Sequence, residues 1–198
     1  MEILWGKREA STVADEQKKK PSLPCNPQTE EDQELLEKYE HIFIGSFSHS
    51  LDSKGRMIVP LSFREGLGDT FYIGPTFNFQ GIALYPNLVW ARMRDGYAKI
   101  SRFDSGLKRY LEQFDAMSYR DQECDSQGRI LLPAKIRKRI LGDEMEVEIA
   151  GNNDHVRIVA KPAGEEQFEQ FKNDLPNLLD RIDLLMQNMD GPAQDMKG

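Results

Sequence analysis

Cysteine is scarce in this 198-residue chain: Cys25 sits in a polar segment and Cys124 deep in the second half. Two cysteines so placed make neither a disulfide framework nor a CxxC metal pattern, so a reduced, cytosolic compartment is expected. The three histidines, His41, His49 and His155, are scattered without zinc-ligand spacing. There is no P-loop, no GxGxxG and no nucleophile elbow, so no catalytic residue, small-molecule substrate, cofactor or metal is expected. No run of about 18 apolar residues occurs, which argues against a membrane span. The N-terminus has no basic region leading into an apolar stretch, so no secretory signal is expected. Net positive charge is also missing. The chain carries a formal −7, which at first sight excludes nucleic acid as a partner.

What the chain does have is a repeat. Asp52-Ser53-Lys54-Gly55-Arg56-Met57-Ile58-Val59-Pro60 returns as Asp125-Ser126-Gln127-Gly128-Arg129-Ile130-Leu131-Leu132-Pro133. A downstream arginine, Arg64 and then Arg137, recurs in the same register. Two copies of one unit imply two small half-domains sharing a core, since a unit of about 70 residues buries little apolar surface alone. Each copy can be read directly. Asp-Ser-x-Gly is turn material, with Asp accepting from N–H groups just ahead and Gly55 or Gly128 supplying positive φ. Arg opens an apolar run that suits a strand buried on both faces, and Pro ends that strand and leads into a helix. Asp and Arg, four residues apart, are placed to pair and fix the guanidinium. A purely structural hairpin clip fits one copy as well; a second copy with Arg beside the turn favours a functional role.

The rest of the chain falls around these motifs. Residues 1–40 are polar and punctuated by Pro21, Pro24 and Pro27, a composition that does not support a core; residues 34–40 could add a short helix. Strands are expected over 42–48, 70–73 and 81–85, with Gly74-Pro75 as punctuation, and helices after Pro60, over 87–100 and over 106–117. The last of these carries Leu107, Tyr110, Leu111 and Phe114 on one face, apolar surface that a thin two-unit fold could leave for an interface. The second half repeats the scheme: a buried strand over 129–132, a helix over 134–141, and strands around Val147 and Val156. Beyond Gly164 the chain is acidic, and Pro176 interrupts its helical spacing, so two short helices or a partly frayed tail are expected. The expected boundaries are 1–40 for a disordered acidic extension, 41–118 and 119–164 for the two repeats, and 165–198 for the tail.

The doubled Asp-x-x-x-Arg, each followed by three apolar residues and Pro, resembles the MraZ family of bacterial transcriptional regulators. His49 to Arg56 and Leu84-Tyr85-Pro86 through Trp90 carry the likeness in the first half, Cys124 to Pro133 in the second. The resemblance implies an α+β, β-rich fold of two tandem AbrB-like swapped-hairpin half-domains. It also implies a nucleoid-associated, ring-shaped homo-oligomer that binds double-stranded DNA at direct repeats upstream of the division and cell-wall gene cluster. The family ordinarily begins near the Phe-x-Gly seen here at Phe43, so residues 1–40 are either a genuine arm or an artefact of start-site choice.

The distribution of charge removes the objection to DNA. Residues 1–40 carry six Lys/Arg against ten Asp/Glu, and residues 165–198 three against eight, which leaves residues 41–164 at +2. Positive charge there gathers at the motifs. Lys54, Arg56, Arg64, Arg129 and Arg137 are the expected DNA contacts, with Asp52, Gly55, Asp125 and Gly128 as the turns that hold them. Arg beside a rigid turn suits bidentate contact with guanine edges in the major groove. The competing reading is an AbrB-like interaction protein or antitoxin whose acidic tail captures a protein partner. The doubled motif speaks against the antitoxin, which normally carries one.

Overall fold

The computed structural model describes residues 29–39, 42–100 and 104–189. Most of the expected N-terminal arm, including Cys25 and the lysines at 18–20, lies outside these residues, as do His41 and the end of the chain beyond Met189. The first helix, α1 (Glu30–Tyr39), belongs to a unit separate from the remainder. It starts before the expected residue 34 because Thr29 and Asp32 cap it reciprocally. The Asp32 N–H donates to Thr29 Oγ1 at 3.0 Å and the Thr29 N–H to Asp32 Oδ2 at 3.1 Å.

The main unit runs β1 (Ser46–Ser50), β2 (Arg56–Ile58), α2 (Leu61–Leu67), β3 (Phe71–Pro75), β4 (Ile82–Pro86) and α3 (Asn87–Ala98). A linking helix, α4 (Ser105–Asp115), follows. The scheme then repeats as β5 (Tyr119–Gln122), β6 (Arg129–Leu131), α5 (Ala134–Ile140), β7 (Glu146–Asn152), β8 (His155–Ala160) and α6 (Lys161–Met189). The fold is α+β, with an antiparallel six-stranded sheet ordered β1-β7-β8-β4-β3-β5 and a separate two-stranded ribbon of β2 and β6. That order reads the same for both repeats. Each repeat lends its first strand to the other: β1 pairs with β7 and β5 with β3, while β4 and β8 meet at the centre. The halves are interleaved, so neither has a sheet of its own.

Alternation along the strands builds two cores. In β4, Ile82 and Leu84 point to one face, and Ala83 and Tyr85 to the other. The first face packs against α2, α5 and the ribbon through Phe63, Met57, Ile130 and Ile136, all within 2% of full burial. Each such side chain contributes on the order of 1.5–3 kcal/mol. The second face is covered by α3 and α4, where Phe114 is fully buried among Phe79, Tyr85, Trp90 and Tyr110. The aromatic face of α4, read from the sequence as surface for a core or an interface, is spent on this internal cluster.

Three further expectations need correction. The motif strands are not buried on both faces. β2 and β6 pair only with each other, so Met57 and Ile130 turn inward while Ile58 and Leu131 stay 47% and 55% exposed. Gly74 and Pro75 do not punctuate; they complete β3, and the chain reverses at Thr76–Gly81, held by Thr76 N–H to Gly81 O at 2.8 Å and Gly81 N–H to Thr76 Oγ1 at 2.9 Å. The acidic tail is one continuous helix of 29 residues with Pro176 inside it, not two short ones. Proline there removes one backbone hydrogen bond, and the helix continues through it.

Candidate nucleic-acid interface

Each motif folds as the same clip. Asp52 Oδ1 accepts from the N–H of Lys54 and of Arg56, both at 2.9 Å. Its Oδ2 takes Nε and Nη2 of Arg56 at 2.8 and 2.7 Å. Asp125 does the same with the N–H of Gln127 and Arg129 at 2.9 Å, and with Nε and Nη2 of Arg129 at 2.8 Å. The turn closes through Gly55 N–H to Asp52 O and Gly128 N–H to Asp125 O, with φ of 81° and 73° at the two glycines. Hydrogen bonding to the charged form holds both carboxyls low. Asp52 falls to about 2, chiefly through the Arg56 N–H, and Asp125 is lowered chiefly through that of Arg129.

The two clips are laced together. Val59 N–H donates to Gly128 O at 2.9 Å and Leu132 N–H to Gly55 O at 3.0 Å. Arg64, anchored by Nε to Val59 O at 2.9 Å, lays its guanidinium over Gly128, and Arg137 lays its own over Gly55. A Cβ at either glycine would collide with the arginine above it. The downstream arginine of each repeat thus braces the turn of the other. Spacing within one repeat carries no sign of this crossing, because an identical offset of 73 residues fits a swapped and an unswapped pair equally.

The ribbon register decides what faces outward. Arg56 lies opposite Leu131 and Ile58 opposite Arg129, about the central buried pair Met57 and Ile130. The outer face therefore carries two arginines alternating with two aliphatic side chains, with Leu61, 77% exposed, nearby in sequence at the start of α2. Ile58 and Leu131 escaped the sequence reading because an all-apolar run hides its own alternation. Carboxylate bonding fixes the guanidinium planes of Arg56 and Arg129 and leaves the Nη1 end of each without a partner among the described residues. Net positive charge comes from Lys54, Arg64, Arg137, Lys138 and Arg139, none of which has an ion-pair partner among the described residues. Lys135 differs: its Nζ donates to Ala116 O at 3.0 Å.

All nine residues predicted for the site are thus gathered at the ribbon. Asp52, Gly55, Arg56 and Arg137 form one cluster, Asp125, Gly128, Arg129 and Arg64 the other, and Lys54 projects from the first turn. His155 is a packing residue, bonded to Asp154 at 2.7 Å and set against the Tyr85 ring. Among the described residues, no group of three His, Cys, Asp or Glu side chains is placed to hold a metal, and no helix is long and apolar enough to cross a membrane.

Comparison with known proteins identifies the family. The chain is 34% identical over 145 residues to a transcriptional regulator MraZ of Desulforamulus reducens, spanning 70% of this chain and all of that protein. The corresponding protein of Natranaerobius thermophilus is 31% identical over 71% of this chain and 96% of its own length. That of Dictyoglomus thermophilum is 34% identical over 69% and 91%. The chain belongs to the MraZ family. No family model matches it. The matches span about 70% of this chain.

Proposed function

We propose that this MraZ-family chain is a sequence-specific transcriptional regulator that binds double-stranded DNA through the β2–β6 ribbon. The observation that carries the reading is the doubled clip. Two arginines are held rigidly on one outward face, each by a carboxylate that two backbone N–H groups fix in turn, with five cations on and just after the motifs that have no ion-pair partner among the described residues. Arg56 and Arg129 read base edges in the major groove, where a two-stranded ribbon fits. Lys54, Arg64 and Arg137 neutralise phosphate, and Asp52, Gly55, Asp125 and Gly128 position the readers. The names of the relatives, transcriptional regulators all, support the same function. The family resemblance supports the finer reading: a ring-shaped homo-oligomer in the cytoplasm, associated with the nucleoid, acting at direct repeats upstream of the division and cell-wall genes.

The test is a mobility shift with the DNA upstream of the chain's own gene. Arg56→Ala and Arg129→Ala each weaken specific binding by about 1–3 kcal/mol per lost base contact, and Lys54→Ala weakens all sequences alike and flattens the salt dependence. Unchanged affinity in both arginine variants and their double, with fold intact, overturns the assignment. If the chain instead works as an interaction protein, those variants leave its activity untouched.

A further inference from the structure

The C-terminal helix α6 carries an apolar row that the fold does not use. Its first residues pack on the sheet, Gly164 being buried, but from Phe168 onward nearly every side chain to residue 187 is exposed. Phe168, Phe171, Leu175, Leu178, Ile182 and Leu185 recur at alternating steps of three and four residues. That is the a/d seam of a coiled coil, sustained over the outer part of a helix about 43 Å long at roughly 1.5 Å per residue. All but half-buried Leu175 are exposed large hydrophobics. Soluble proteins seldom leave so long an apolar row to water. Pro176 falls outside the seam, so it interrupts the backbone ladder without entering the packed face.

We propose that α6 pairs antiparallel with α6 of a second copy of this chain. The pattern is self-complementary about its midpoint, between Pro176 and Asn177. In that register Phe168 meets the copy's Leu185, Phe171 its Ile182 and Leu175 its Leu178, and each pairing recurs by the two-fold. Charge selects the same arrangement. Asp174 and Arg181 flank the seam at equivalent heptad positions and have no ion-pair partner among the described residues. Antiparallel pairing sets each against the other on the opposite chain, twice per contact. Parallel pairing would set Asp174 against Leu179 and Arg181 against Met186, leaving both charges uncompensated. The contact is isologous, so it saturates at two copies and doubles whatever assembly the rest of the chain forms.

The full-length chain tests this by sedimentation mass over a dilution series. Asp174→Arg and Arg181→Asp each replace two attractive pairs by two repulsive ones and weaken the contact roughly tenfold. Near the midpoint of dissociation each single variant therefore shows a mean mass about three-quarters of the wild-type value. The double variant, with the charges exchanged, returns to the wild-type mass. Ile182→Asp, which places charge in the seam, lowers it to that of the undoubled assembly irrespective of orientation; circular dichroism confirms that the fold is kept. Equal masses throughout, or a double variant as weak as the singles, overturn the proposal.

Discussion

At the scale of single residues the clip joins stability to recognition. Asp52 accepts two backbone N–H groups and the Arg56 guanidinium, and its pKa drops from 3.8 to about 2, the Arg56 N–H being the largest cause. A folded pKa below the unfolded one gives stability that is fully present above about pH 4 and is lost as pH falls through about 2. The clip accordingly survives mild acid. In acid titrations followed by circular dichroism, Asp52→Ala lowers the melting temperature at pH 6 and narrows its gap to the wild-type chain as pH approaches 2. Because Asp52 also orients Arg56, the same change weakens DNA binding, whereas Arg56→Ala acts mainly on binding. A substitution that leaves both melting temperature and affinity unaltered rules out the clip as the positioning device. Gly55 is constrained twice, by φ of 81° and by the Arg137 guanidinium above it. Gly55→Ala costs roughly 1–2 kcal/mol of left-handed strain, measured by urea unfolding, because the Arg137 guanidinium at the end of its flexible side chain can swing aside while the backbone angle cannot change.

At the scale of elements, the sequence disclosed whatever was local. The Asp-to-Arg pairing, the turn glycines and the helices after Pro60 and Pro133 were legible because their causes lie within about five residues of one another. Tertiary causes were not. The exchange of β1 and β5 between repeats, Arg64 over Gly128 and Arg137 over Gly55 join residues far apart in the chain, and spacing within one repeat does not encode them. The outward turn of Ile58 and Leu131 depends on β2 having one partner rather than two. Pro176 misled because one proline costs a helix a hydrogen bond, not its whole length. The interleaving has a measurable consequence. Phe63 and Ile136 occupy equivalent places in α2 and α5, and both end in one shared core. Phe63→Ala and Ile136→Ala each destabilise by about 2–5 kcal/mol, and each produces a single unfolding transition of both repeats together. Two separate transitions in either variant contradict a shared core.

At the scale of the whole molecule, the pseudo-two-fold inside one chain bears on what sort of DNA site the protein reads. The antiparallel ribbon relates the Asp52 and Asp125 clips by that axis, so one chain offers its two proposed arginine readers in opposite senses. Strict symmetry would ask for a small palindrome within each box. The repeats depart from symmetry where it counts: Lys54 answers to Gln127, and exposed Ser62 to Lys135, which is tied to Ala116 O. Each box is therefore asymmetric, with more phosphate neutralisation on the Lys54 side. On the proposed reading, copies joined head to tail in a ring would present their ribbons in one sense around it, so neighbouring boxes would repeat in the same orientation. Footprinting on the upstream DNA then shows tandem same-strand boxes, and inverting one box of a pair weakens binding although both box sequences are intact. Lys54→Gln, which makes the first turn match the second, lessens that penalty because it removes one source of the asymmetry. A single protected palindrome, or a pair of boxes indifferent to inversion, excludes head-to-tail presentation of the ribbon.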